Sequence, residues 1–351
     1  MIRQLHYYGD LEFQGCICIG DSSNAMHLER TKRVVKELQG KLNIIHQEYP
    51  DLNEPQCIQQ LLNFVRTPYV TWVGDDDFLV PSGLEKCVQF LGDHPEYSAA
   101  HGVAVRIKTK DSKPYGRIIE CSGKTQPMEK AKRAAKRFIS YMNYPTDAHF
   151  SVRRVQTLLL AYKNAHLLDK RFAAELPSWL TVVIGKIKEL DCVSVVRQIN
   201  DNKYYTLEQS DTYAWITNPK WASHFKIVHD TLAEELIRQD SISLDEAKEV
   251  LKLGLSTYIH TRFVKEVNEH YTVHSIPTPV SKILHVGMVS NLKIFIKRIP
   301  YVGLPIKKLY SLIFQSSEKQ YDMSLKSLLK PSSPYHKDFM PIYRAITEEN
   351  E

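Results

Sequence analysis

A run of β-branched and aromatic residues ending on three consecutive aspartates, Thr67 to Pro81 (TPYVTWVGDDDFLVP), constrains this chain more than any other stretch. Tyr69 to Val73 has no alternating polar face, so it predicts a short strand buried on both faces of a sheet. Gly74 and the carboxylates of Asp75, Asp76 and Asp77 follow at once. Ligands bind beyond the C-terminal ends of buried parallel strands, and clustered aspartates repel one another unless a cation lies between them. A hard divalent ion, Mg2+ or Mn2+, takes a few carboxylate oxygens and completes its shell with phosphate oxygens. The pattern predicts a metal–diphosphate site; the alternative is an acidic turn leaving a strand, since Asp is a common turn former.

Strands and helices alternate around this run. Leu11 to Gly20 predicts a strand ending at the acidic, hydroxyl-bearing turn Asp21-Ser22-Ser23. Met26 to Leu38 predicts a helix, Leu42 to His46 a strand, and Pro55 to Val65 a second helix. Such alternation predicts a parallel α/β sheet, with Asp21 and the Asp75–Asp77 cluster on the same edge. Pro81 to Leu91 predicts a helix, and Tyr97 to Ile107 a strand returning through a hairpin turn, Lys108 to Gly116, into Arg117 to Cys121. Glu129 to Met142 predicts a basic helix with a solvated face. Asn143 to Arg153 is a loop that carries Asp147 and His149 into a short strand. A helix near Val155 to Ala165 and another near Glu175 to Leu190 follow, with Glu175 in a first turn, where a carboxylate complements the helix dipole. Cys192 to Val196 predicts a strand ended by Arg197 and Gln198. From Trp215 onward helices follow without intervening strands, among them Ser243 to Glu269, opened by a capping box in SLDE.

At 351 residues the chain has room for a large core, and its 25% charged and 43% hydrophobic residues are ordinary for a soluble globular protein. No signal peptide and no bilayer-length apolar run is visible, so the expected location is the cytoplasm. The six cysteines are expected to be reduced and mostly buried; Cys16 and Cys18 point the same way on a strand but lack the partner pair of a zinc site. The net charge of +6 is unevenly spread: no acidic residue lies between Glu269 and Glu318, where six cations are interleaved with apolar residues. Across 282–314 this suggests short amphipathic helices on an anionic membrane surface, at the inner face; a basic face docked on the rest of the protein is the alternative. Nucleic acid is not expected, because no binding motif accompanies the charge. There is no phosphate-binding Gly-rich loop, HExxH or paired CxxC.

The strand ending in Asp21-Ser22-Ser23, the strand and helix after it, and TPYVTWVGDDDFLVPSGLE together resemble the nucleotide-sugar-binding half of GT-A fold, family-two-like bacterial glycosyltransferases. Ala173 to Gln198 (AAELPSWLTVVIGKIKELDCVSVVRQ) resembles their acceptor-side helix and closing basic strand. The resemblance implies a Rossmann-like, mostly parallel sheet flanked by helices over 1–210, followed by a helical, basic region over 211–351. It implies a metal-dependent inverting transfer of a sugar from a nucleotide-sugar donor to a polysaccharide or lipid-linked glycan. Asp21 and Ser22 would contact the donor's base or ribose. Asp75, Asp76 and Asp77 would hold Mn2+ or Mg2+ on the diphosphate. Glu175 would take the acceptor's proton, Arg197 would be a second cation near the diphosphate, and Asp147 and His149 would lie in the acceptor loop. One departure is plain: Met1-Ile-Arg-Gln-Leu-His-Tyr-Tyr resembles the helix that follows the family's first strand and base-binding turn, so that strand is expected to be missing. Two rivals stay open, a catalytically silent glycan-binding or scaffold protein of the same fold and a metal-dependent nucleotidyltransferase.

Overall fold

A computed structural model describes residues 1–110, 113–124, 129–143, 148–199, 211–271 and 322–348, with side chains up to 266 in the fifth span. Asp147 and the basic segment 282–314 lie outside the described residues. The chain divides into two compact units, Met1–Thr261 with Asp322–Glu351, and Arg262–Tyr321. Almost all of the second lies outside the described residues.

In the first unit the class is α/β with a helical C-terminal region, as expected. Helix α1 (Ile2–Asp10) leads into β1 (Cys16–Asp21), α2 (Ala25–Leu38), β2 (Asn43–Glu48) and α3 (Glu54–Leu61). The short polar residues Asn24 and Asn53 cap α2 and α3 by accepting from the amides of His27 and Gln56, and Gln56 closes a capping box on Asn53. β1 and β2 pair in parallel as a two-stranded sheet.

The second sheet holds β3 (Tyr69–Val70), β4 (Phe78–Leu79), β5 (Tyr97–Thr109), β6 (Ile118–Lys124), β7 (Val152–Arg154) and β8 (Lys186–Gln198). Its order is β3-β7-β5-β8-β4, with β6 on β5. The long central strands β5 and β8 run parallel; β3, β4, β6 and β7 add antiparallel ladders. β3 corrects the expectation from sequence. It is two residues long, half-buried and antiparallel to β7, because the chain breaks away at Thr71 to enter the acidic turn. The strand buried on both faces is β5, whose Ala99, Ala100, Val103, Ala104 and Val105 are fully enclosed.

Glycines set two close approaches. On α4 (Pro81–Asp93), a Cβ at Gly83 would fall 2.1 Å from the Val193 carbonyl oxygen, so this bare Cα lets the helix lie directly on β8. Gly185 ends α7 (Lys170–Ile184), since a Cβ there would come 2.6 Å from the Ser98 amide. The helix thus stops at Ile184 rather than running to Leu190, and β8 begins at Lys186, well before Cys192.

The core gathers α5 (Ala134–Asn143), α6 (Val155–Tyr162), α7, α9 (Trp221–Asp240) and α10 (Leu244–Tyr271, through Thr261) around Phe138, Trp179, Leu232, Leu251 and Tyr258; the short α8 (Thr212–Ile216) precedes α9. The basic helix is shorter than expected, and one of its cations is not solvated. Arg137 is buried and donates to the carbonyls of Val182 and Val183 at 2.7 and 2.6 Å, where a cation complements the C-terminus of α7. Asp240 accepts from the amides of Ala134 and Ala135 and so caps α5 from the end of α9. Finally α11 (Leu325–Leu328) and α12 (His336–Thr347) return to α4, through Ser82 Oγ to Asp338 Oδ1 at 2.7 Å, and to β8, through Tyr335 Oη to Asp191 Oδ1 at 2.7 Å. Among the described residues no helix is long and apolar enough to cross a membrane.

Substituting Gly83→Ala forces a methyl group against backbone rather than a movable side chain. It should lower stability by about 1–3 kcal/mol, the usual cost of overpacking, read as a reduced midpoint of urea unfolding.

Candidate functional site

The acidic residues form a turn between β3 and β4, closed by the Asp77 amide donating to the Gly74 carbonyl at 3.4 Å. Its backbone carbonyls are held by the first helix. Gln4 Nε2 donates to the carbonyl of Gly74 at 2.7 Å and to that of Asp77, Arg3 donates to that of Asp76 at 3.0 Å, and the N-terminal ammonium donates to that of Asp75. Arg3 and Gln4 are both buried. Arg3 also donates to Gln198 Oε1 and to the Pro114 carbonyl, and its guanidinium lies 5.1 Å from the Phe78 ring centre. Nearby the Leu79 amide donates to Tyr8 Oη at 3.0 Å. With its carbonyls turned to α1, the turn directs its carboxylates elsewhere.

The three carboxylates descend into the protein: Asp75 is exposed, Asp76 half-buried and Asp77 buried. Asp77 Oδ1 accepts the Gln198 amide at 2.9 Å, and Oδ2 lies 3.5 Å from Arg197 Nε. Burial, then the charge of Asp76, pushes the Asp77 carboxyl up to about 7 against the pull of Arg197 and the Gln198 amide. Burial, then Asp75, also raises Asp76, opposed by Arg3 and Arg197. A Cβ on Gly74 would stand 3.1 Å from Asp76 Oδ1 and 3.6 Å from Asp77 Oδ2, so the glycine leaves open the space beside which both carboxylates lie.

Arg197 lies with its guanidinium 4.4 Å from the Phe150 ring centre. Trp72 packs against both Phe150 and His149, at 5.7 and 6.0 Å between ring centres. The His149–Phe150 segment is fixed from behind by buried Arg153, which donates to the His149 carbonyl at 2.9 Å and to that of Ala148. Glu54, at the start of α3, feels the same surroundings. Burial raises its carboxyl, His149 and Lys170 lower it, and Asp75 raises it further. The aspartates, Arg197, His149, Glu54 and Lys170 thus act on one another in one neighbourhood.

Asp21 and Glu175 are carried by other elements, β1 and α7. Asp21 ends β1 in the two-stranded sheet, buried, with Oδ1 accepting the Ser23 amide at 2.9 Å and Oδ2 3.2 Å from His46 Nε2. Burial pushes its carboxyl up, but hydrogen bonding from Ser23 and His46 prevails and holds it below its ordinary value. Ser22 beside it is exposed. Glu175 is not in a first turn: α7 begins at Lys170, capped by Asp169, which accepts the Phe172 amide at 2.8 Å. The dipole explanation for Glu175 therefore fails. Its Oε1 instead accepts from Tyr258 Oη at 2.7 Å.

Among the described residues no three His, Cys, Asp or Glu side chains converge as a cage for a metal ion. The donor set suits an ion that needs only two protein carboxylates. Asp75 and Asp76 are adjacent and repel, with Asp76 beside the space a Cβ on Gly74 would fill, while Asp77 is committed to Gln198 and Arg197. Mg2+ and Mn2+ are held this way, with substrate oxygens completing the shell.

Sequence reasoning missed Arg3, Gln4, Trp72, Phe150, Glu54 and Lys170. Two of them had left a signal: Arg3 and Gln4 sit beside Leu5, Tyr7 and Tyr8 in one short helix, where buried polar side chains mark bonds made to other parts of the chain.

No family model and no curated protein matches the chain. Among solved structures it is similar to S. aureus TarS 1–349, at 14% identity over 73% of this chain and 69% of that one, with a TM-score of 0.42. S. aureus TarS gives 16% identity over 73% and 41%, with a TM-score of 0.43. TarS 1–349 in complex with UDP-GlcNAc gives 13% over 74% and 86%, with a TM-score of 0.37.

Because the folded Asp77 carboxyl is raised from 3.8 to about 7, its stabilising contribution is complete below pH 4 and is lost as the pH rises through 7. In metal-free protein Asp77→Asn, which can still accept the Gln198 amide, should flatten the fall in stability between about pH 4 and 7. It should leave the variant more stable than the parent at pH 8 by up to a few kcal/mol, at about 1.4 kcal/mol per tenfold change in acidity. Urea unfolding across that range reads the difference.

Proposed function

We propose that this chain is a metal-dependent inverting glycosyltransferase that uses a nucleotide-sugar donor. The observation that carries the reading is the acidic turn: one carboxylate locked into the sheet, two less buried, and the backbone fixed from behind by α1. Mn2+ or Mg2+ held there by Asp75 and Asp76 would neutralise the charge that grows on a departing nucleoside diphosphate.

The protein's own groups supply the rest. Asp77 holds Arg197 beside the turn, and that cation adds to the field felt by the diphosphate. Asp21 stays ionised, and its remaining lone pairs and the exposed Ser22 hydroxyl can meet a ribose hydroxyl or base N–H. Trp72 and Phe150 pack around His149, which would face the incoming acceptor. Glu175 takes the proton of the attacking acceptor hydroxyl at the carboxylate that Tyr258 orients. The acceptor in this reading is a surface polysaccharide or its lipid-linked precursor, met at the inner membrane face through the basic 282–314 segment. Retention on anionic liposomes at low salt tests that placement.

UDP-GlcNAc, the ligand of one TarS structure, is the donor to try first. Calorimetry of UDP-GlcNAc, UDP and GDP, each with and without Mn2+, should find metal-dependent binding of one nucleotide that is lost in Asp75→Asn/Asp76→Asn. Glu175→Gln should keep that binding while turnover falls by about 10²–10⁴-fold, the usual contribution of a general base. Binding with no turnover on any glycan acceptor would favour a catalytically silent glycan-binding or scaffold protein. Release of pyrophosphate from a nucleoside triphosphate would favour a nucleotidyltransferase.

A further inference from the structure

β1 and β2 run in parallel with Ile17, Ile19 and Asp21 opposite Ile44, His46 and Glu48, so these six side chains share one face of the two-stranded sheet. The face is apolar where the strands begin and polar where they end. Asp21 and His46 are diagonal neighbours across the pair, and the imidazole Nε2 lies 3.2 Å from Asp21 Oδ2. Both side chains are largely enclosed, Asp21 at 2% exposure and His46 at 10%. Glu48, next along the face, is taken by Lys32 of α2, with Oε1 2.9 Å from Nζ. Asp21 is left to His46 and to its own turn, where Oδ1 accepts the Ser23 amide at 2.9 Å and the backbone carbonyl accepts the Tyr49 amide at 2.8 Å.

Burial works against the charge on Asp21, but hydrogen bonding from Ser23 and His46 prevails and holds the carboxyl below its ordinary value. An ionised carboxylate only accepts, so the proton between the two groups sits on Nε2 and the imidazole is the donor. Stability does not account for such a pair, because apolar residues of similar size commonly match or better an enclosed charged one. An aliphatic side chain at each position would continue the run of Ile17, Ile19 and Ile44. What the pair supplies is a carboxylate fixed in direction, with lone pairs left over, at the C-terminal edge of parallel strands, where ligands bind.

Resting on the glycosyltransferase reading, we propose that His46 is the positioning residue of the nucleoside end of the donor site, its Nε2–H holding the Asp21 carboxylate in the orientation that accepts an N–H or O–H of the nucleoside. His46 acts through Asp21 and touches no reacting atom. Its contribution therefore falls on nucleotide affinity and not on the metal held at the acidic turn, whose carboxylates belong to a different element.

Two variants of the full chain test this. His46→Phe keeps a flat ring and removes the donor, whereas His46→Gln carries an amide N–H that can stand where Nε2–H stood. In calorimetry with Mg2+ and UDP or GDP, His46→Phe should weaken binding by about tenfold to a hundredfold, the usual worth of a hydrogen bond to a charged group, and His46→Gln should stay within about threefold of the parent. The parent should bind either the 2′-deoxy or the base-N-methyl form of its nucleotide more weakly, which names the group that Asp21 meets, and His46→Phe should lose that discrimination. Nuclear magnetic resonance of the parent is a second measurement that needs no variant: the His46 ring signals should shift saturably with nucleotide and not with Mg2+ alone. Undiminished affinity in His46→Phe, equal losses in the two variants, or ring signals that nucleotide leaves unmoved overturns the inference and leaves the glycosyltransferase reading standing. A parent that binds neither nucleotide removes that reading and the inference together.

Discussion

The buried carboxylate of Asp77 is the constraint on which the site depends. A charge enclosed at this depth is costly unless it is hydrogen-bonded and paired. The Gln198 amide and Arg197 supply both partners, which ties the acidic turn to the end of β8. The remaining backbone carbonyls of the turn would be a second burden, and α1 removes it through Gln4 and Arg3. α1 in turn packs beside α12, itself anchored through Asp338 to Ser82 and through the Ile346 carbonyl to the Gly116 amide at 2.8 Å. Residues near both ends of the sequence therefore support four residues in its first quarter.

Like charges gathered at one place need a reason to stay. Asp75, Asp76 and Glu54 act on one another unfavourably, and the raised carboxyls of Asp76 and Glu54 show that their surroundings offset only part of it. Arg3, Arg197, His149 and Lys170 stand close enough to moderate the field. In the proposed reading a ligand that brings both signs, an anionic diphosphate with a divalent cation, would answer this mixture of acids and bases.

Much of the scaffold was legible from sequence because it rests on local rules. The alternation of apolar strands with helices places α2 and β2 within a residue or two and α3 with its start within a residue and its end four residues late, and Tyr97 to Ile107 is the core of β5. Errors fall where tertiary contacts override local preference. Tyr69 to Val73 has the composition of a buried strand, yet pairing with β7 at one short ladder leaves it half-exposed. Glu175 looks like a first-turn acid only if the helix starts there, and Asp169 starts it a turn and a half earlier. The clamp on the acidic turn was invisible because α1 and Gly74 lie some seventy residues apart and no local pattern joins them.

The triplet itself shows how sequence and structure divide the information. Three identical residues in a row carry no mark of which is which, and as a motif they leave open which two of them would bind a metal. The turn gives each a different depth, exposed at Asp75, intermediate at Asp76 and buried at Asp77, so the chain spends one carboxylate on its own architecture and keeps two at the surface. A third ligand on a hard ion would compete with the substrate oxygens that the ion must also bind. Committing Asp77 to Gln198 and Arg197 removes that competition, so in the proposed reading a metal held by Asp75 and Asp76 would keep coordination positions for a diphosphate.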